Sequence, residues 1–319
     1  MAVTGLSGLF QTVVSGISEA SKVLAPTWSA EQSIFWDHNP DEPGVLGKTL
    51  NVALPQDPSS QVRDIQSNDM IVDEANVATV PIVLNRHPQF SVVIRDYDQF
   101  MTPYQVKVGF ADGALIALKN FINQDVANLA NVNNFTTNAT VVGTGSAVTT
   151  TQYTQALAVL ARQRVPMGNP NDLTFLIPPE VYYGLEDPTT GTAGAAWTQA
   201  FIAGNRWAES VRETGQVPRA FGTTFRMDQQ MPISGTAPHQ TFSALLLHRW
   251  ALAGVTRPIF SPPSALKVVD KTYLPFGKIE IRVMTGYDLR KGGEILSIDA
   301  AYGLAVVREN MAVPFSISQ

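Results

Sequence analysis

The sequence has no cysteine among its 319 residues, which excludes disulfide bridges, thiol catalysis and cysteine-ligated metals. Charge is also scarce. Asp, Glu, Lys and Arg make up 15% of the chain, against roughly 25% in an average soluble domain. With 45% hydrophobic residues, this shortage suggests that other chains cover part of the surface. Basic residues do not dominate, since 22 Lys and Arg stand against 27 Asp and Glu for a net charge of −5. That balance argues against a dedicated nucleic-acid binder, which needs clustered cations for phosphate contacts. No run approaches the ~18 apolar residues of a membrane-spanning helix. The first 24 residues carry no early Lys or Arg and no clear cleavage site, so a secretory signal is not expected and a cytoplasmic protein is.

Catalytic constellations are missing too. Residues 42–50 read EPGVLGKTL and contain GKT, the tail of a phosphate-binding loop. That loop needs glycine five residues before the Gly-Lys pair; here the position is Glu42, and Pro43 removes a further N–H donor. The stretch also opens an alternating strand pattern where the loop would open a helix. No G-x-S-x-G occurs, and His38, His87, His239 and His248 form no pair at metal-ligand spacing. His248 reads as a satisfied core histidine. Arg95-Asp96-Tyr97-Asp98 reads as a charged strand end, and Asp69, Asp73 and Glu74 lack the spacing and turn glycine of a calcium loop. No cofactor and no metal is expected.

What is present is an α+β order of elements. Residues 1–45 read as an arm with apolar positions, among them Phe10, Trp28, Phe35 and Trp36, that dock outside a core of their own. Leu50 and Val52 alternate with polar or small neighbours, and a second extended run covers 77–84, bracketing a polar excursion. A structureless stretch of that length tends to be functional. Tyr104 to Val132 forms one long helix, with a stripe of Ala111, Leu115, Leu118, Ile122, Val126 and Leu129 widened by Ala114 and Phe121. Asp112, Lys119, Asn123 and Asn128 fall off that stripe. Thr149 and Gln152 mark a capping box opening a second helix. Strands are expected at 173–177, through the single run 243–254, and at 278–289 with Ile279, Ile281 and Val283 inward. Two more close the chain.

This order resembles the major capsid proteins of tailed bacteriophages, the Hong Kong 97-type fold shared with encapsulins. LTFLIPPEVYYGL, GQVPRAFGTTFRM, SALLLHRWALAG and YDLRKGGEILSIDAAYGLAVVREN are similar to segments of the axial domain of such proteins. The resemblance implies an N-terminal arm (1–45) and an E-loop (46–85). It implies a peripheral domain (86–150 and 264–290) with its spine helix, and an axial domain (151–263 and 291–319). It implies self-assembly into pentamers and hexamers of an icosahedral virion shell, built in the host cytoplasm and enclosing double-stranded DNA without sequence-specific binding. Candidate assembly contacts are Phe10, Trp28, Phe35, Trp36, Gly47, Lys48, Arg63 and Asp64. A separate scaffolding protein and a portal are the expected partners, with a decoration protein as an optional third; a built-in scaffolding segment ahead of the arm is not expected if these residues are the full gene product. Residues 55–76 contain no lysine, so the isopeptide crosslink that some family members form from the E-loop is not expected. An encapsulin shell, a soluble enzyme with an unrecognised site and a β-rich adhesin or tail component remain the alternatives.

Overall fold

Period-two segments become sheets and the one long period-3.6 segment becomes a helix that binds two of them together. The computed structural model describes residues 15, 32–39, 44–53, 79–95, 103–144, 148–169, 171–186, 219–236, 239–259 and 268–318. Among these residues the strands form four sheets.

The first sheet has three strands: β1 (Phe35–His38), β11 (Leu252–Thr256) and β15 (Tyr302–Val306). β1 runs parallel to β11, with Trp36 opposite Gly254. The second is a ribbon of β2 (Thr49–Ala53) and β3 (Thr79–Val83). In β2 only Leu50 and Val52 are buried, as the alternation predicts.

The third sheet has the order β12-β13-β14-β4, formed by Val268–Phe276, Ile279–Asp288, Gly293–Ala300 and Gln89–Arg95. Ile279, Ile281 and Val283 point into the core. β13 and β14 pair over eight residues, from Ile281↔Ala300 to Asp288↔Gly293. A domain boundary at 290 would cut through this hairpin, so the expected division is corrected. The four-stranded unit extends to Ala300.

The fourth and largest sheet contains β5 (Val141–Thr144), β6 (Leu173–Ile177), β7 (Arg219–Ala220), β8 (Thr223–Met227), β9 (Ile233–Thr236), β10 (His239–His248) and β16 (Ala312–Ser318). β10 is its centre, flanked by β16 on one side and by β9 and β6 on the other. β5 joins through β16, so residues 141–144 belong here and not with the first half of the chain. An aromatic cluster fills one face. Phe175 lies 5.0 Å from Phe315, 5.4 Å from Tyr153 and 5.5 Å from Phe225 between ring centroids.

Three helices of eight residues or more complete the described chain. α1 (Pro103–Leu129) is 27 residues, about 40 Å at ~1.5 Å rise per residue, and packs against β4, β14 and β15. Its buried side carries Ala111, Ala114, Leu115, Leu118, Ile122 and Val126. Phe121 is 41% exposed and does not widen the apolar stripe, whereas Asn123 is buried, so both of those expectations are corrected. Neither could be settled by period alone, because both residues sit at the margin of the stripe. α2 (Thr150–Arg162) opens on the expected capping box. Thr149 Oγ1 accepts from Gln152 N–H at 3.2 Å, and Gln152 Oε1 accepts from Thr149 N–H at 2.9 Å. α3 (Pro179–Glu186) follows β6 directly.

The run 243–254 is two strands and not one. β10 ends at His248 and β11 begins at Leu252, in a different sheet. The turn is held by Ala251 N–H to His248 O at 2.8 Å, and Arg249 N–H donates to Asp172 O at 2.8 Å. The chain end likewise holds three strands, β14, β15 and β16, where two were expected.

Candidate assembly surfaces

The base of the polar excursion is built on a small core of its own. Leu50, Val52, Ile82 and Leu84 from the ribbon close over Ala253 and Val255 of β11, with Phe35, Val80, Ala305 and Val307 at the edge. Gly47 N–H donates to Leu84 O at 2.8 Å, and Leu84 N–H donates to Lys48 O at 3.0 Å. Arg86 and Tyr302 exchange two backbone hydrogen bonds of 3.0 Å each. The ribbon also lies flat on β15, because Gly303 has no Cβ to push against the Val83 carbonyl. The chain therefore enters and leaves residues 54–78 from a fixed platform.

Two glycines define that entry differently. Gly47 has φ +84° with open space around it, a turn conformation that glycine adopts without strain. Gly44 does not pivot. It is buried, donates its N–H to Pro258 O at 2.7 Å, and would place a Cβ 2.9 Å from Arg257 Cβ. Lys48 is exposed between them and the ribbon, and Val45, Leu46 and Val83 form an exposed apolar group around the same turn.

Of the remaining candidate contacts, Trp36 is 7% exposed and fills the space over Gly254, where an added Cβ would meet its ring at 2.5 Å. Its indole also packs edge-on to Tyr302 at 6.4 Å. The expectation that Trp36 buries itself on a neighbouring subunit is corrected, because its own chain already covers it. Phe35 is half-buried and stacks on Trp250 at 4.2 Å. Residues 33–38 are thus part of the core and not of an arm outside it. Phe10, Trp28, Arg63 and Asp64 lie outside the described residues, as do Asp69, Asp73, Glu74, Asp96, Tyr97 and Asp98.

Sequence reasoning missed the hairpin tip between β13 and β14. Leu289 there is 87% exposed, and Tyr287 beside it is exposed as well. The tip is a preformed turn, with Asp288 Oδ1 accepting from Arg290 N–H at 2.9 Å, Lys291 N–H donating to Asp288 O at 3.1 Å, and Gly292 at φ +57°. The sequence signal was available: an isolated leucine inside DLRKGG, where a turn would normally be polar throughout.

Buried charge networks hold these surfaces in place. Asp299 is fully buried in the four-stranded sheet, where Arg282 Nε donates to its Oδ1 at 2.9 Å and Arg282 pairs again with its Oδ2. His87 Nε2 lies 3.1 Å from the same oxygen. Arg257 donates to Asp37 Oδ2 at 2.7 Å and to Asp37 O at 3.0 Å, fixing β1. Asp125 on α1 accepts from Tyr302 Oη at 2.8 Å and pairs with Arg86 at 3.2 Å. Each pair joins residues distant in sequence, and for the buried Arg282–Asp299 pair removing one partner costs about 3–5 kcal/mol. His248 is buried and only half satisfied. Its Nδ1 accepts from Trp250 N–H at 3.3 Å, and its Nε2 has no hydrogen-bond partner among the described residues. Among those residues no group of three or more His, Cys, Asp or Glu could hold a metal ion. Among the described residues no helix is long and apolar enough to cross a membrane.

No protein-family model and no curated protein matches the sequence. Solved structures do. The capsid of cyanophage P-SCSP1u superposes with a TM-score of 0.52 at 15% identity, covering 90% of this chain and 87% of that one. The mature capsid of bacteriophage PhiM1 gives 0.50 at 13%, covering 91% and 86%. The capsid of Ralstonia phage GP4 gives 0.50 at 12%, covering 92% and 91%. The chain has the phage capsid fold. This is the α+β fold that the order of elements implied. Coverage near nine-tenths in both directions means that the shared fold extends over most of the chain and not over one motif. Identities of 12–15% speak for the fold and leave the function to be argued from surfaces.

Proposed function

We propose that the chain is the major capsid protein of a tailed bacteriophage, assembling into pentamers and hexamers of an icosahedral shell around double-stranded DNA. The observation that carries this reading is the match to several phage capsids over about nine-tenths of both partners. In this reading the ribbon β2–β3 is the root of the E-loop, α1 is the spine helix, and the four-stranded sheet with α1 is the peripheral domain, ending at residue 300. The large sheet with α2 and α3 is the axial domain. Ring-forming contacts between identical subunits are heterologous and call for protruding elements. The Leu289 hairpin tip supplies one, and residues 54–78, between the two strands of the ribbon, are the proposed second. Phe10 and Trp28 from the arm, Lys48 at the ribbon's root, and Arg63 and Asp64 in the excursion are the proposed contacts on neighbouring copies. Burial of the arm's apolar side chains would contribute roughly 25 cal/mol per Å². A net charge of −5 suits a container that holds DNA without gripping it.

A separate scaffolding protein, a portal and a decoration protein complete the proposed assembly, which forms in the host cytoplasm and ends in the virion. Negative-stain microscopy of the purified protein, alone and co-expressed with its scaffold, tests the reading. Closed shells or five- and six-fold capsomers are the expected result. A monomer that persists under both conditions rejects it. Shells that hold a protein cargo in place of nucleic acid would move the reading to an encapsulin.

A further inference from the structure

Among the described residues β4 has β14 as its one neighbour in the four-stranded sheet. The register sets which of its backbone groups are used. Arg86 and Tyr302 exchange both backbone bonds, and Ala300 N–H donates to Pro88 O at 3.2 Å, so even-numbered positions face β14. Bonded and non-bonded pairs alternate along an antiparallel ladder. The N–H and C=O groups of Gln89, Ser91, Val93 and Arg95 therefore point away from the sheet, and no backbone group among the described residues meets them. Gln89, Ser91 and Arg95 are exposed as well.

Comparable edges of the molecule are guarded. β12, at the other side of the same sheet, contains Lys271, Pro275 and a register shift between Val268 and Asp270. β5, at the edge of the large sheet, has its Val142 carbonyl taken by Gln152 Nε2–H at 2.9 Å. Proline, lysine, bulges and covering groups are the usual means of blunting an edge. β4 has none of them. It is seven residues long with an unbroken register, and its one charge is Arg95 at the end.

We infer that β4 is a strand-pairing edge whose partner is β4 of a second copy, antiparallel and centred on Val92. The outward groups at 89, 91, 93 and 95 are symmetric about that residue. A two-fold axis there sets Ser91 of one copy opposite Val93 of the other and Gln89 opposite Arg95, each pair exchanging both backbone bonds. Side chains fit the same operation. Phe90 meets Ile94 and Val92 meets its own counterpart, the aromatic and β-branched pairings that stabilise sheets. The two Arg95 side chains stand at opposite ends, each across from a neutral glutamine. Phe90, Val92 and Val93 are half-buried in the single chain, and pairing covers them further. Such a contact is isologous, and it rests on the edge alone, not on the capsid reading. Seven residues fall well below the roughly 20–30 per side of a free-standing interface, so trapping reads the contact better than dimer mass does.

The absence of cysteine makes disulfide trapping specific. On the two-fold axis Val92 faces Val92 as a non-hydrogen-bonded pair, with Cα atoms about 4.5 Å apart, within disulfide reach. The full chain carrying Val92→Cys, oxidised while folded and quenched with N-ethylmaleimide, should run at twice the 34.6 kDa chain mass without reductant. Ser91→Cys and Val93→Cys alone should stay monomeric, since each lies about 7–8 Å diagonally from its own counterpart. Co-expressed, the two should link. Adding Val93→Pro to Val92→Cys should abolish the dimer and leave the melting temperature nearly unchanged, because the Val93 N–H carries no ladder bond. The co-expressed pair carries the test if the proline variant does not fold. No dimer from Val92→Cys, or equal dimer from all three single cysteines, would overturn the assignment. Slow amide exchange at Ser91 and Val93 without that dimer would give the edge to a different strand and overturn it too.

Discussion

The Tyr302 hydroxyl donates to Asp125 Oδ2 at 2.8 Å, and this one bond ties α1 to the strand on which the ribbon rests. Arg86, at the exit of the ribbon, pairs with the same carboxylate at 3.2 Å. Three parts of the chain thus meet at one half-buried carboxylate oxygen. Burial, and after it the bond and charge of Asp125, push the Tyr302 phenol far above its ordinary value, with Arg86 opposing. Burial likewise raises Tyr153 in the aromatic cluster.

The first prediction follows from that direction. A folded-state pKa above the unfolded value gives stability that is complete below about pH 10 and is lost as pH rises beyond it. Phenolate absorbance should therefore show Tyr153 and Tyr302 ionising only in the step in which far-UV circular dichroism is lost. Tyr302→Phe should cost about 1–2 kcal/mol at neutral pH and shift that alkaline transition upward. Ionisation of all eight tyrosines before unfolding would contradict the burial argument.

The close approach of Gly303 to the ribbon gives the second. An added Cβ would collide with the Val83 carbonyl and stand 3.1 Å from Ile82 Cγ2. Gly303→Ala should destabilise the chain by about 1–3 kcal/mol by prying β3 off β15. On the capsid reading it should lower the yield of closed shells further than its thermal shift alone would. Gly47→Asn, where the left-handed turn has open space, is the matched control and should cost well under that amount, since asparagine tolerates the conformation. Melting temperature and particle counts from the same preparations decide the matter.

Much of this platform was legible in the sequence where neighbours along the chain decide the outcome. Alternation at Leu50 and Val52, the inward Ile279, Ile281 and Val283, and the Thr149–Gln152 box are local signals, and the structure keeps each. Legibility ended where partners came from far away. β1 pairs in parallel with residues 253–256, so nothing around Trp36 could reveal that its own chain would cover it. The run 243–254 has no proline and only a terminal glycine. Its break after His248 is imposed by Asp172, 77 residues earlier. Arg282 and Asp299 look like surface charges until β13 and β14 pair them opposite each other in the core. Of the candidate surfaces, the ribbon's root was readable by pattern, while at the tip the isolated Leu289 in DLRKGG was a signal that only the β13–β14 register places on a hairpin turn.

His248 supplies the third prediction. Burial lowers its pKa, with Asp172 opposing and Arg249 and Arg308 assisting. A depressed folded-state value means stability that is present above the unfolded pKa of about 6.5 and lost as pH falls through the folded one. Between pH 7 and pH 5 the wild type should lose up to ~1.4 kcal/mol per pH unit from this group. His248→Gln, which keeps an acceptor for Trp250 N–H, should flatten that slope while costing some stability at pH 7.5. Denaturant midpoints at half-unit steps of pH measure both. An unchanged slope in the variant would assign the acid sensitivity elsewhere.

The fourth prediction concerns covalent linkage between subunits. An isopeptide bond needs a lysine amine brought to an amide carbonyl of another chain, and residues 55–76 contain no lysine. Lys48 stands at the ribbon's root, where its backbone carbonyl is held by Leu84 N–H at 3.0 Å. It sits at the start of the first ribbon strand and not in the excursion that would reach a neighbour. On the capsid reading, shells should therefore be held by noncovalent contacts alone. Boiling purified particles in detergent should release a single band at the 34.6 kDa monomer mass, and Lys48→Arg should leave both that band and the particle yield unchanged. A ladder of dimers, pentamers and hexamers that survives boiling, and that disappears in Lys48→Arg, would show instead that the ribbon's root reaches an acceptor on a neighbouring copy.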